Sequence, residues 1–230
     1  MNTLPTRRIL LLVPLLITGL LAVDVLGGRW GQPLAVGATW ISFFWILRSV
    51  NADHRTMMFL CLAYATMGEI MLSLVWHIYD YRLDNLPLFV PPGHVMLFLL
   101  GLSIAPRISD TMVRFITCAA VGVVAVLGVT GRDTFSVLLV TVFATSVVFG
   151  RERKLYATMF VLSLVMEWYG TWLGNWHWNE QVGRTGMVTV NPPVAAGAFY
   201  CALDLLVMST MRKRVKSAVP IVHGAGTVQV

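Results

Sequence analysis

The chain has 230 residues, 57% of them hydrophobic and 12% charged, with a mean hydropathy of +0.74. Water-soluble domains run at about 45–50% apolar and about a quarter charged, so a soluble globular domain, a disordered chain and a disulfide-rich secreted scaffold are all excluded. The formal charge of +6, from 17 basic and 11 acidic residues, is distributed in a way that speaks of membrane topology and not of a nucleic-acid partner.

A bilayer core of about 30 Å takes roughly 20 apolar residues in helix, and lipid leaves the backbone no partner but the helix itself. In chain order, apolar stretches run over 9–26, 33–47, 57–79, 90–105, 112–129, 134–149, 155–173 and 190–211. They predict an all-α polytopic membrane protein of eight transmembrane helices. The first stretch follows Arg7 and Arg8, but no small-x-small cleavage site comes after Leu26, so it is expected to remain as an anchor. With the N-terminus inside, thirteen basic residues fall on inner segments and four, Arg29, Arg82, Arg132 and Arg184, on outer ones. Lys and Arg accumulate on the cytoplasmic side, so both termini are expected there, in a bacterial cytoplasmic membrane. Residues 217–230 read as a disordered cytoplasmic tail. Cys61, Cys118 and Cys201 lie in apolar stretches without paired spacing, which offers neither a redox motif nor a zinc cluster.

The third and seventh stretches share an ordered set of residues. Glu69 is followed by Trp76–His77 and then Pro91–Pro92; Glu167 is followed by Trp176–His177 and then Pro192–Pro193. The offset of about 100 residues also carries the first stretch onto the fifth and the second onto the sixth. The chain is therefore expected to comprise two parallel four-helix repeats, 1–106 and 107–216. An even number of helices per copy preserves orientation, which places a pseudo-two-fold axis along the membrane normal. Taken singly, Trp at a span end also suits the interfacial belt, and Pro-Pro suits a helix's first turn.

Three acids fall deep within spans: Glu69, Glu167 and Asp204. A carboxylate at bilayer depth costs about 2.5–3.5 kcal/mol even on the lenient insertion scale and usually faces a bundle interior or cavity. Residue counts put Glu69 and Glu167 roughly 20 Å from the inner boundary, with Asp204 approaching the same level from the other side. Helical spacing aligns Glu69, Ser73, Trp76 and His77 on one stripe, and Glu167, Gly170, Thr171 and Gly174 on another. It aligns His94, Phe98 and Gly101 on a third, and Pro193, Gly197, Tyr200 and Asp204 on a fourth. Gly170 and Gly174 form a small-xxx-small pair suited to close helix approach.

A polar, aromatic-rimmed pocket open towards the outer leaflet follows. A desolvated carboxyl group can keep its proton near neutrality and deliver it to a poor base such as a carbon–carbon double bond, and aromatic rings stabilise a cation beside them. Glu69, Glu167 and Asp204 are thus the candidate catalytic acids, with His77, His94 and His177 relaying protons from the outer surface. Trp76, Tyr79, Arg82, Tyr169, Asn175, Trp176, Trp178, Asn191 and Tyr200 are the candidate substrate contacts. The expected partner is a membrane lipid or apolar isoprenoid, with no metal and no cofactor. Three other readings stand beside it. The acids can be locked by Arg82, Arg184, Asn175 or Asn191, with the bundle only a scaffold; they can bind protons or a cation in a small proton-coupled transporter or lipid-handling subunit; or His77, His94, His177 and a glutamate can hold a single metal ion. GxSxG, P-loop and GxGxxG signatures are absent from the sequence.

The segment Glu167-x-x-Gly170-x-x-x-Gly174-x-Trp176-x-Trp178, followed by a polar loop and Pro192–Pro193, resembles membrane-embedded carotenoid-modifying enzymes of the hydratase and lycopene cyclase-domain types. That resemblance implies a polytopic enzyme of carotenoid biosynthesis performing acid-initiated cyclisation, isomerisation or hydration. Glu167 would be the acid, Trp176 and Trp178 the pocket rim, and Glu69 the matching position in the first half. The sequence departs from the cyclase pattern after Pro193, where Val194 and Ala195 stand in place of an acidic pair. Gly68–Glu69 and Gly93–His94 also resemble the eight-span lysoplasmalogenase family, which usually has Asp after the Gly.

Overall fold

A computed structural model describes residues 6–218. Among them the chain is mostly helical, with eight α-helices: α1 (Thr6–Leu26), α2 (Gly31–Ser49), α3 (Ala52–Glu69), α4 (Val90–Ile104), α5 (Asp110–Val129), α6 (Phe135–Phe149), α7 (Arg153–Leu173) and α8 (Gly197–Ala218). Two three-residue strands, β1 (Tyr79–Tyr81) and β2 (Trp176–Trp178), join them as an antiparallel ribbon. Ser217 and Ala218 continue α8, while the rest of the expected tail, 219–230, lies outside the described residues.

Local chemistry sets several of the ends. The Asn51 side chain accepts from the His54 N–H at 2.9 Å and Ser109 accepts from the Met112 N–H at 3.1 Å, capping α3 and α5. Pro91 and Pro92 sit in the first turn of α4, where the missing N–H groups have no helical partner in any case. Gly174, with φ of 86°, ends α7 in the left-handed conformation.

Two expected boundaries move. The 57–79 stretch does not remain helical to Tyr79: after Glu69 the backbone widens into a π-turn over Ile70–Val75 and the helix stops before Trp76. Nor do Pro192 and Pro193 open the last helix, which starts at Gly197. The backbone at 189–196 is instead held by Asp133, whose carboxylate accepts from the Val194 N–H at 3.0 Å and the Thr189 hydroxyl at 3.0 Å.

Among the described residues three helical segments are long and apolar enough to cross a membrane: Ile9–Leu26, Ala52–Val75 and Asp110–Val129. Only 11% of the α5 window is buried within the protein, so nearly the whole of this apolar helix requires some other apolar surroundings. By contrast α4 is covered all round, and every residue from Val95 to Leu100 is buried. It packs on α1, α2, α3 and α7, while α7 packs in turn on α5, α6 and α8. The crossing of α3 on α8 is matched by that of α4 on α7. α5 packs against α7, whereas α1 stands off from α3 and those two helices face each other across a cavity.

Candidate functional site

The cavity has a volume of about 500 Å³ and is walled mainly by apolar side chains of α1, α3, α4 and α8. Its polar end lies under the β1–β2 ribbon. Successive strand residues point to opposite faces, so Tyr79 and Tyr81 of β1 and Trp176 and Trp178 of β2 turn inward while Asp80 and His177 turn out. Tyr79 pairs with Trp178, and Tyr81 with Trp176. The inward rings meet edge to face or tilted, with centroids 4.7 Å apart for Tyr79–Trp178 and 6.1 Å for Tyr81–Trp176.

Each strand grips the glutamate of the helix before it. The Tyr79 and Tyr81 hydroxyls donate to Glu69 Oε2 at 2.7 and 2.6 Å. The Trp176 and Trp178 indoles donate to Glu167 Oε2 at 2.8 and 3.1 Å, and the Tyr200 hydroxyl donates to Glu167 Oε1 at 2.9 Å. Ten residues separate Glu69 from Tyr79 but nine separate Glu167 from Trp176. The π-turn after Glu69 absorbs the extra residue, which is what such turns do in an α-helix. The counterpart of Trp176-x-Trp178 is accordingly Tyr79-x-Tyr81, not Trp76–His77 as the sequence spacing suggested.

Both glutamates are 6% exposed and both line the one cavity. Among the described residues neither is paired with Lys or Arg. Arg82 instead binds Asp24 at 3.1 Å, and Asn175 donates to the other Asp24 oxygen at 2.8 Å, so these two tie the ribbon to the end of α1. Burial, and then the negative charge of Glu69, push the Tyr79 and Tyr81 hydroxyls well above their ordinary pKa. They therefore remain protonated donors. An indole N–H can only donate, so Glu167 Oε2, with two of them, carries no proton. Glu69 Oε2 is similarly occupied by two phenols, and its Oε1 is the oxygen left without a hydrogen bond among the described residues. His94 Nδ1 stands 3.9 Å from Oε1, on a ring stacked at 4.4 Å on Tyr200, and faces the Val90 carbonyl at 3.4 Å.

The expected site residues thus divide. Glu69, Glu167, His94, Trp76, Tyr79, Trp176, Trp178 and Tyr200 all line the cavity. Asp204 does not: Tyr200, one helical turn nearer the start of α8, takes the place facing Glu167, and Asp204 lies buried near the Cys61 and Cys201 thiols. His77 is exposed beside Asp80, at a positive φ of 48° beyond the end of the helix, so the stripe it was expected to share with Glu69 does not form. His177 points outward from β2 and meets Asn191, whose oxygen accepts from the Trp178 N–H. Tyr169 donates to the Thr18 carbonyl. Arg82, Tyr169, Asn175 and Asn191 therefore hold the frame and not the cavity wall. No group of His, Cys, Asp and Glu suited to a metal ion is found among the described residues.

Gly170 and Gly174 do not receive a neighbouring helix. The Trp176 ring lies against Gly170, where a Cβ would overlap it, and Gly174 is the helix stop. Gly170→Ala should therefore push Trp176 off Glu167 and cost about 1–3 kcal/mol, the usual scale of overpacking. A lowered midpoint in thermal unfolding, together with a shifted tryptophan emission, would register it.

Tyr81, Asp24 and Asp133 were missed by sequence reasoning. The alternation Tyr79-x-Tyr81 carried a signal for the first, since it repeats the aromatic-x-aromatic pattern of Trp176-x-Trp178. Comparison with known protein families, curated proteins and solved structures finds no match to this chain.

Proposed function

We propose that this protein is an integral membrane enzyme that protonates a long apolar substrate, such as a polyisoprenoid, and so drives its cyclisation, isomerisation or hydration. In this reading all eight helices cross the bilayer as two parallel four-helix repeats, with both termini cytoplasmic and the ribbon roofing the site on the outer side. The observation that carries it is a greasy cavity of about 500 Å³ whose one polar end presents a carboxyl oxygen free of hydrogen bonds.

Glu69 is the acid. Its Oε1 proton passes to one carbon of a double bond, leaving a carboxylate on the enzyme and a positive centre on the adjacent carbon. Loss of a neighbouring proton then gives a rearranged or cyclised alkene, whereas addition of water followed by proton loss gives an alcohol. The His94 ring, whose Nδ1–H donates to the Val90 carbonyl, has Nε2 as the nitrogen to take up the released proton. Glu167, saturated by three donors, positions the ribbon and Tyr200. Matched donor pairs on the two glutamates, and matched crossings of α3 on α8 and α4 on α7, support the repeat.

Extractable lipids from cells with and without the gene should differ in at least one apolar species related by a double-bond shift, a ring or a hydroxyl. Identical lipid profiles, with pH-dependent flux into vesicles, would assign the same residues to transport.

A further inference from the structure

The two carboxyl groups are buried with no Lys or Arg beside them among the described residues, and once Glu69 has given up its proton it is a buried carboxylate, which inside a protein calls for a cationic partner. Two phenols donate to Glu69 Oε2, and two indoles and a phenol donate to Glu167, so every hydrogen bond these acids receive comes from a neutral group. What this end of the cavity lacks is a positive charge. The frame holds its own cationic groups back from Oε1: Arg82 is committed to Asp24, and His94 Nδ1, 3.9 Å away, is turned to the Val90 carbonyl. The positive charge has to arrive with the occupant.

The walls are suited to such an occupant. Trp76, Tyr79, Tyr81 and Tyr200 line the cavity around Glu69, and aromatic faces attract cations most strongly where water is excluded. Most of the remaining lining is apolar, and part of it, including Leu16, Leu20, Met67 and Met71, lies along α1 and the α3 side. Met67, Met71 and Trp76 belong both to the lining and to the exposed surface, at 56%, 37% and 55% exposure, so the cavity opens sideways along the outer face of α3. An occupant with an alkyl chain can therefore enter from the apolar surroundings of that helix.

We infer that the cavity is a receptor for a lipid-soluble cation, with a single alkyl chain lying between α1 and α3 and the positive centre seated at Glu69 Oε1 beside the aromatic rings. The inference rests on the reading of the cavity as a substrate site and specifies the species it holds most tightly. A long-chain ammonium ion imitates the positive carbon formed when an alkene is protonated, so the same geometry that binds the stable cation stabilises the transient one.

The test uses the full chain in nanodiscs of zwitterionic lipid, titrated with N,N-dimethyldodecylamine, charged at neutral pH, and with dodecanol. Tryptophan fluorescence is followed and corrected against empty nanodiscs. The amine should half-saturate at a concentration roughly tenfold or more below that of the alcohol. Glu69→Gln should erase that preference, whereas Leu20→Trp, which narrows the α1 wall, should weaken both ligands alike. Equal half-saturation of the two ligands on the unaltered protein overturns the inference, and that comparison holds whether or not either variant folds. A preference that survives Glu69→Gln also overturns it. Identical lipid profiles with an intact ammonium preference would remove the enzymatic reading and leave the receptor.

Discussion

Glu69→Gln is expected to reduce product formation by about 10²–10⁴-fold, the range a positioned acid contributes, while leaving the protein folded. The amide is nearly isosteric, and its oxygen still accepts from Tyr79 and Tyr81. What disappears is the exchangeable proton at the position of Oε1. Glu167→Gln should cost less in rate, because the acid there is closed off by Trp176, Trp178 and Tyr200. Its amide oxygen can keep both indoles and its NH₂ can reach the Tyr200 oxygen. Comparable losses from the two variants would mean that the two acids act as a pair, and unchanged product from Glu69→Gln would remove Glu69 from the chemistry. Far-UV circular dichroism and gel-filtration profiles of the purified variants separate lost activity from lost fold.

The largest effect on stability is expected at Asp133, which is fully buried. Its carboxylate accepts from the Ser136 N–H at 3.0 Å, the Ser136 hydroxyl at 2.6 Å, the Thr189 hydroxyl at 3.0 Å and the Val194 N–H at 3.0 Å. It thereby caps α6, where a negative charge suits the positive end of the helix, and pins the irregular chain leading into α8. Asp133→Ala leaves at least two donors buried without partners at about 1–3 kcal/mol each. A total of about 3–5 kcal/mol corresponds to a fall of roughly 10 °C in the unfolding midpoint of a chain this size. Scanning fluorimetry of the detergent-solubilised protein measures it. Asp133→Asn, which keeps one acceptor oxygen, should recover part of the loss.

Asp133 also shows where the sequence was readable and where it was not. Apolar runs and Pro91–Pro92 marked helices well, because hydropathy and backbone chemistry are local properties. Buried Glu69 and Glu167 stood out because a charge in an apolar run is costly wherever the run goes. Asp24 and Asp133, at the margins of such runs, looked like ordinary loop acids, and only their partners Arg82, Asn175, Thr189 and Val194, all distant in the chain, reveal otherwise. The ribbon was hidden for a related reason. Its strands are three residues long, lie nearly a hundred residues apart and have no turn between them to announce the pairing. Trp76–His77 and Trp176–His177 offered a tempting but false correspondence, since spacing alone does not reveal that a helix has taken up one surplus residue. Asp204 was misplaced by assuming that Pro192 begins a helix that in fact begins at Gly197.

That surplus residue has a mechanical side. A π-turn leaves a helix wider and less tightly wound than its neighbours, and here it follows directly on α3, beside the mouth between Met67 and Trp76. The α4 part of the wall is packed on α1, α2, α3 and α7 and buried throughout Val95–Leu100. Beside that wall the π-turn is the place for give: guests of unequal girth would be accommodated by flexing Ile70–Val75, while the anchor point at Glu69, set just before the slack begins, stays put.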